Sequence, residues 1–180
     1  MARDLEMLCS DWEHWAATAD RSEDGWQSDF PAWNELMESA TAAMADSIAS
    51  QERRRCLELC WAISEEGEEL ADYAREHVDE CMAVLSYLAR SPNPSVRWQV
   101  YDVLSLGGER AEQLLRDALD DPDPYSRRRA ILALTRLRPK DAEQLADMLM
   151  QSEDPYIRQA ASEMARVAGD GTTKVRGEPS

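Results

Sequence analysis

Cys56 and Cys60 stand four residues apart, and so do His77 and Cys81. On a helix that spacing puts two side chains on one face. Two such pairs facing each other would supply the sulfur and imidazole ligands of a tetrahedral zinc site. The competing reading is structural. Aligned on the chain's own internal repeats, Cys56 falls on Ala130, Cys60 on Leu134 and Cys81 on Ala111, so the thiols take the places of small apolar core residues. Spacings of four without a paired Cys-x-x-Cys favour the core reading, and no metal is expected. His14 and His77 are the only histidines. Neither stands in a Ser-His-Asp or Cys-His setting, and no Gly-rich phosphate loop is present. No catalytic residue and no cofactor are therefore assigned, and the chain is expected not to be an enzyme.

The second group capable of recognition is acidic. The chain has 36 Asp and Glu against 20 Lys and Arg, a net charge of −16. The excess lies early: residues 1–50 hold eleven acids and two bases, residues 51–90 ten and five, and residues 91–180 fifteen and thirteen. Nucleic-acid binding rests on Lys and Arg neutralising phosphates, so this balance argues against it despite the clusters at 53–55 and 127–129. It favours a basic protein partner. The run Glu65, Glu66, Glu68, Glu69, Asp72, Glu76, Asp79 and Glu80 reads first as a solvated helical face and second as the electrostatic face for such a partner. Trp12, Trp15 and Trp33 follow helical stripes and read as core. Trp26 follows Gly25 in a loop and is assigned as an aromatic anchor for the partner, with local packing as the alternative.

The elements that must position these groups are set by an internal repeat. Ser91-Pro92-Asn93-Pro94-Ser95-Val96-Arg97 is echoed by Asp121-Pro122-Asp123-Pro124-Tyr125-Ser126-Arg127 and by Ser152-Glu153-Asp154-Pro155-Tyr156-Ile157-Arg158. Asn93, Asp123 and Asp154 are predicted N-caps, whose side-chain oxygens take up orphan amide hydrogens. Pro94, Pro124 and Pro155 follow at the first helical position, where a missing N–H costs nothing. Apolar residues then recur at helical spacing: Val96, Val100, Val103 and Leu104; Ala130, Ala133 and Leu134; Ile157, Ala161, Met164 and Ala165. Each unit reads as two short helices that cannot bury their stripes alone, so stacking is required.

The pattern Asp/Asn-Pro-x-x-Arg before an Ala/Leu-rich helix resembles HEAT repeats, especially the short bacterial type also seen in phycobilin-lyase-like proteins. The resemblance covers residues 80–168. It implies an all-α fold, a short right-handed α-solenoid of helix pairs. It also implies that Arg97, Arg127 and Arg158 serve structure, bonding carboxylates and carbonyls of adjacent repeats. HEAT arrays are scaffolds, so the implied function is non-catalytic protein binding. Acidity and size favour an immunity protein that neutralises a cognate bacterial toxin. The alternatives are a general adaptor or assembly factor, a lyase-like chaperone, and, against the charge, a HEAT-like DNA glycosylase.

Along the chain, residues 1–49 are expected to form a capping helical hairpin. Residues 50–91 form a divergent pair that includes one long helix from about 67 to 90. Residues 92–168 are the HEAT-like repeats, and 169–180 a disordered tail. The partner surface is assigned to Trp26, Glu69, Asp72, Glu76, Glu80, Glu112, Glu143 and Asp147, on the wall made by the second helices. The opening residues lack a long apolar run and no stretch matches a membrane span, so no signal peptide and a cytoplasmic setting are expected.

Overall fold

The computed structural model describes residues 4–22, 25–45, 50–64, 69–138 and 141–173, with the side chains of 142, 143 and 167–173 excepted. Among the described residues the chain is all-α: ten helices, two short 3-10 turns and no strand. The helices are α1 (Leu5–Ala16), α2 (Trp33–Met44), α3 (Gln51–Ile63), α4 (Glu69–Glu76), α5 (Val78–Leu88), α6 (Pro94–Leu104), α7 (Glu109–Asp117), α8 (Pro124–Leu137), α9 (Ala142–Leu149) and α10 (Pro155–Thr173). None of the described helices is long and apolar enough to cross a membrane. The chain divides into two compact units, Met1–Val103 and Leu104–Ser180.

In the first unit α1 and α3 start at side-chain caps. The Asp4 carboxylate accepts the Met7 amide at 2.9 Å and opens α1, and Ser50 accepts the Arg53 amide at 3.1 Å and opens α3. Leu5, Leu8, Cys9, Trp12 and Ala16 form the buried stripe of α1. It packs on α2 and α3. Trp61 of α3 is wholly buried, with its indole N–H directed at the Met44 sulfur at 3.3 Å. Full burial of a side chain such as Leu57 or Leu85 contributes about 1.5–3 kcal/mol, and the unit rests on many of them.

Helix α6 belongs mostly to this unit, although it begins after the first proline junction. Gln99 donates to the Trp61 carbonyl at 3.2 Å. The Tyr101 hydroxyl donates to the Ala89 carbonyl at 3.3 Å. Both bonds lie within the first unit, which runs to Val103.

Where one long helix is expected from about 67 to 90, the described residues form two, Glu69–Glu76 and Val78–Leu88; residues 67 and 68 lie outside the described residues. His77 leaves helical geometry, with φ −126° and ψ 36°. The bonds from its amide to Tyr73 (3.1 Å) and from the Cys81 amide to its carbonyl (3.0 Å) persist on either side. The apolar stripe keeps its spacing across the break, seven residues from Ala74 to Cys81. Periodicity therefore carries no trace of it.

In the second unit, α8 packs on α7 and α10, and α9 on α10. Ile131, Ala146, Ile157, Ala160 and Met164 form its core, flanked by Leu119, Leu132, Leu145 and Leu149. Helix α10 runs on to Thr173, four residues past the start of the tail expected from Gly169; residues 174–180 lie outside the described residues.

Candidate protein-binding surface

The three proline junctions share one construction. Ser91 Oγ, Asp121 Oδ1 and Ser152 Oγ accept the amides of Asn93, Asp123 and Asp154 at 3.0, 2.8 and 3.2 Å. The cap side chains then accept amides of the next helix: Asn93 from Ser95 at 2.9 Å, Asp123 from Ser126 at 2.7 Å, and Asp154 from Tyr156 at 2.8 Å. Each arginine reaches back to the turn before its own helix. Arg97 donates to the Ser91 and Pro92 carbonyls at 2.8 and 3.1 Å. Arg127 donates to Asp121 and Pro122 at 2.6 and 3.2 Å. Arg158 donates to Ser152 and Glu153, both at 2.8 Å. Arg127 also grips the Asp154 carboxylate of the following junction. That contact is the main cause holding the Asp154 carboxyl below its ordinary range.

The repeat pattern includes Ser91, Asp121 and Ser152 without assigning them a role. Their signal is a short acceptor two positions before each cap, where an Asx- or ST-type turn forms.

The acidic residues assigned to a partner fall in different places. Glu69, Asp72 and Glu76 stand at i, i+3 and i+7 of α4 and are exposed, as is Glu80 at the start of α5. They share one helical edge, tempered by Arg75, which pairs with Asp72. His77 Nδ1 lies 3.7 Å from Glu80 and its ring stacks on Tyr73 at 4.4 Å. In the second unit Asp147 is exposed on α9, and the Glu143 side chain lies outside the described residues.

Glu112 is engaged within the fold. It bonds Arg116 at 2.9 Å and Arg138 at 2.5 Å, tying α7 to the end of α8. Those two bonds, Arg116 first, hold its carboxyl below the usual range.

Trp26 is half-buried in an aromatic cluster. Its ring lies 5.8 Å from Trp15 and 6.1 Å from Trp12, with Arg21 over it at 4.8 Å. Gly25, at φ 77°, makes the left-handed turn that delivers it there. Trp33 instead lines an open recess, and its indole N–H donates to Glu69 at 3.3 Å.

The cysteines meet differently from the pairing considered above. Cys60 approaches Cys9 of α1, with sulfurs 3.9 Å apart, and Cys9 also contacts the Cys56 carbonyl at 3.8 Å. All four thiols are free and buried. The contact with Cys60, then burial, pushes the Cys9 thiol up. Burial pushes Cys56 up to about 12 and Cys81 to about 11. At neutral pH these are protonated, packed thiols rather than nucleophiles. Among the described residues no three His, Cys, Asp or Glu side chains come together as a metal set.

Most arginines of the two clusters are engaged with protein groups. Arg53 pairs with Glu6 at 3.3 Å, Arg54 lies over Tyr87 at 5.6 Å, Arg128 clasps Glu163 at 2.8 and 2.9 Å, and Arg129 lies over Tyr125 at 5.9 Å. No curated protein matches the chain. Residues 81–166 match the family model for HEAT repeats, helix pairs that generally serve protein–protein interaction and not catalysis.

Proposed function

We propose that the chain binds a basic protein along the acidic edge of α4 and α5, and that it neutralises that protein as an immunity protein neutralises its cognate toxin. The observation that carries the reading is the row of exposed carboxylates Glu69, Asp72, Glu76 and Glu80, in a chain of net charge −16 whose acids are concentrated in residues 1–90. An edge on which carboxylates outnumber the one arginine in this way steers a basic partner and can blockade a basic active-site cleft. Glu112 is left out of the surface because its charge is already answered by Arg116 and Arg138. Trp26 is likewise assigned to packing on Trp12 and Trp15.

The test is affinity capture from the source cells with the wild-type chain and with the Glu69→Lys/Asp72→Lys/Glu76→Lys variant. The expected result is one stoichiometric basic enzyme, retained by the wild type, lost by the variant, and inhibited when the purified chain is added back. An acidic or neutral partner, or one held equally by the variant, refutes the reading.

A further inference from the structure

Between α2 and α4 the surface of the first unit opens into a recess of about 450 Å3. That volume is at the lower end of the range for ligand pockets. Its floor is apolar: Met37 is buried, and the Trp33 indole forms part of the wall. Thr41 and Asn34 add neutral polar groups. Among the described residues, the charged side chains in the lining are two carboxylates, Glu38 from α2 and Glu69 from α4, and both are exposed. A second recess of about 360 Å3 shares Trp33 and Asn34, so the depression continues past the indole toward Phe30 and Pro31.

This lining suits a particular kind of side chain. A long aliphatic stem is matched by Met37 and the indole. A flat cationic head is matched by an aromatic ring and by carboxylates that accept charge-assisted hydrogen bonds. Glu69 is already oriented by the Trp33 indole N–H, which bonds one of its oxygens at 3.3 Å and leaves the other to accept. An ammonium would satisfy the charge alone; a guanidinium satisfies the charge, the plane and the paired acceptors together.

We propose that the Trp33 recess is the socket for an arginine side chain of the protein partner, with its stem along Met37 and Trp33 and its guanidinium held by Glu38 and Glu69. Assigning that arginine to a basic partner rests on the function proposed above. The socket shares Glu69 with the acidic edge of α4, so the edge attracts the partner and the recess fixes its register.

The probe is the blocked tripeptide acetyl-Gly-Arg-Gly-amide, with its citrulline counterpart as a neutral isostere. Each is titrated into the full chain while the indole N–H resonances of the six tryptophans are followed by NMR. The Trp33 resonance is the one missing in Trp33→Phe. The expected result is a saturable shift confined to Trp33 with the arginine peptide. The Glu38→Gln/Glu69→Gln variant should weaken it about tenfold or more, and the citrulline peptide should not produce it. Parallel drift of all six resonances, or an equal response to citrulline, overturns the socket.

The two proposals fail separately. A captured basic protein that Glu38→Gln/Glu69→Gln binds as tightly as the wild type removes the socket and leaves the acidic edge. A specific Trp33 response with no basic protein captured keeps the arginine site and removes the neutraliser.

Discussion

At the scale of single residues, the same chemical type plays opposite parts according to its neighbours. Glu112 and Asp154 are carboxylates held ionised by guanidinium groups, Arg116 and Arg138 for one and Arg127 for the other. Glu69 and Glu80 are exposed and, among the described residues, have no arginine on them, Glu69 accepting the Trp33 indole N–H and Glu80 lying beside His77. The sequence reading grouped Glu112 with the exposed acids. Its i,i+4 partner Arg116 is readable from spacing, but Arg138 lies 26 positions downstream and reaches Glu112 only through the packing of α8 on α7. A carboxyl whose folded pKa is depressed adds stability above its unfolded pKa, near 4. That stability is lost as pH falls through the folded value. Glu112→Gln and Asp154→Asn should therefore be less stable than wild type at pH 7, with the gap closing as pH drops below about 4. Urea unfolding midpoints measured across that range give the test. A gap that stays constant with pH would mean that the carboxylate charge is not what the arginines engage.

At the scale of elements, the junctions were the most legible part of the chain. A short polar cap, a proline and an arginine three residues on announce a helix start by local chemistry alone, and α6, α8 and α10 begin at Pro94, Pro124 and Pro155. The break at His77 was illegible because the apolar stripe passes through it without a change of register. The approach of Cys9 to Cys60 was illegible for a different reason: it is a contact between α1 and α3, and no spacing within one helix encodes it. The arginines are expected to bond carboxylates and carbonyls of adjacent repeats; Arg127 does so at Asp154, while the carbonyl bonds of all three run back to the turn before their own helix. That reach predicts an order of severity. Arg97 is buried, and Arg97→Met keeps the stem while stranding the Ser91 and Pro92 carbonyls. The loss should be about 1–3 kcal/mol in chemical unfolding. Arg158 makes the same pair of bonds at an exposed site, where water replaces the guanidinium, and Arg158→Met should cost clearly less. Equal losses would show that the clamp's worth does not depend on burial.

At the scale of the molecule, the governing quantity is charge. Acids exceed bases heavily in residues 1–90 and hardly at all in residues 91–180, so the field that a partner meets at a distance belongs to the first unit. Such a field acts on encounter more than on the finished complex. Its reach is the Debye length, about 30 Å at 0.01 M salt and about 8 Å at 0.15 M. For the basic partner proposed above, raising salt between those limits should therefore lower the association rate by about tenfold or more, while the dissociation rate changes little. The Glu69→Lys/Asp72→Lys/Glu76→Lys variant should associate slowly at low salt and show a much flatter salt dependence. Its unfolding midpoint should stay near that of the wild type, because all three side chains are exposed. Stopped-flow or surface-resonance kinetics at a series of salt concentrations separates the rate constants. A salt response carried by dissociation would place the decisive charges inside the contact, at Glu38 and Glu69 of the Trp33 recess. A rate indifferent to salt in both proteins would remove steering, and with it the charge argument for a basic partner.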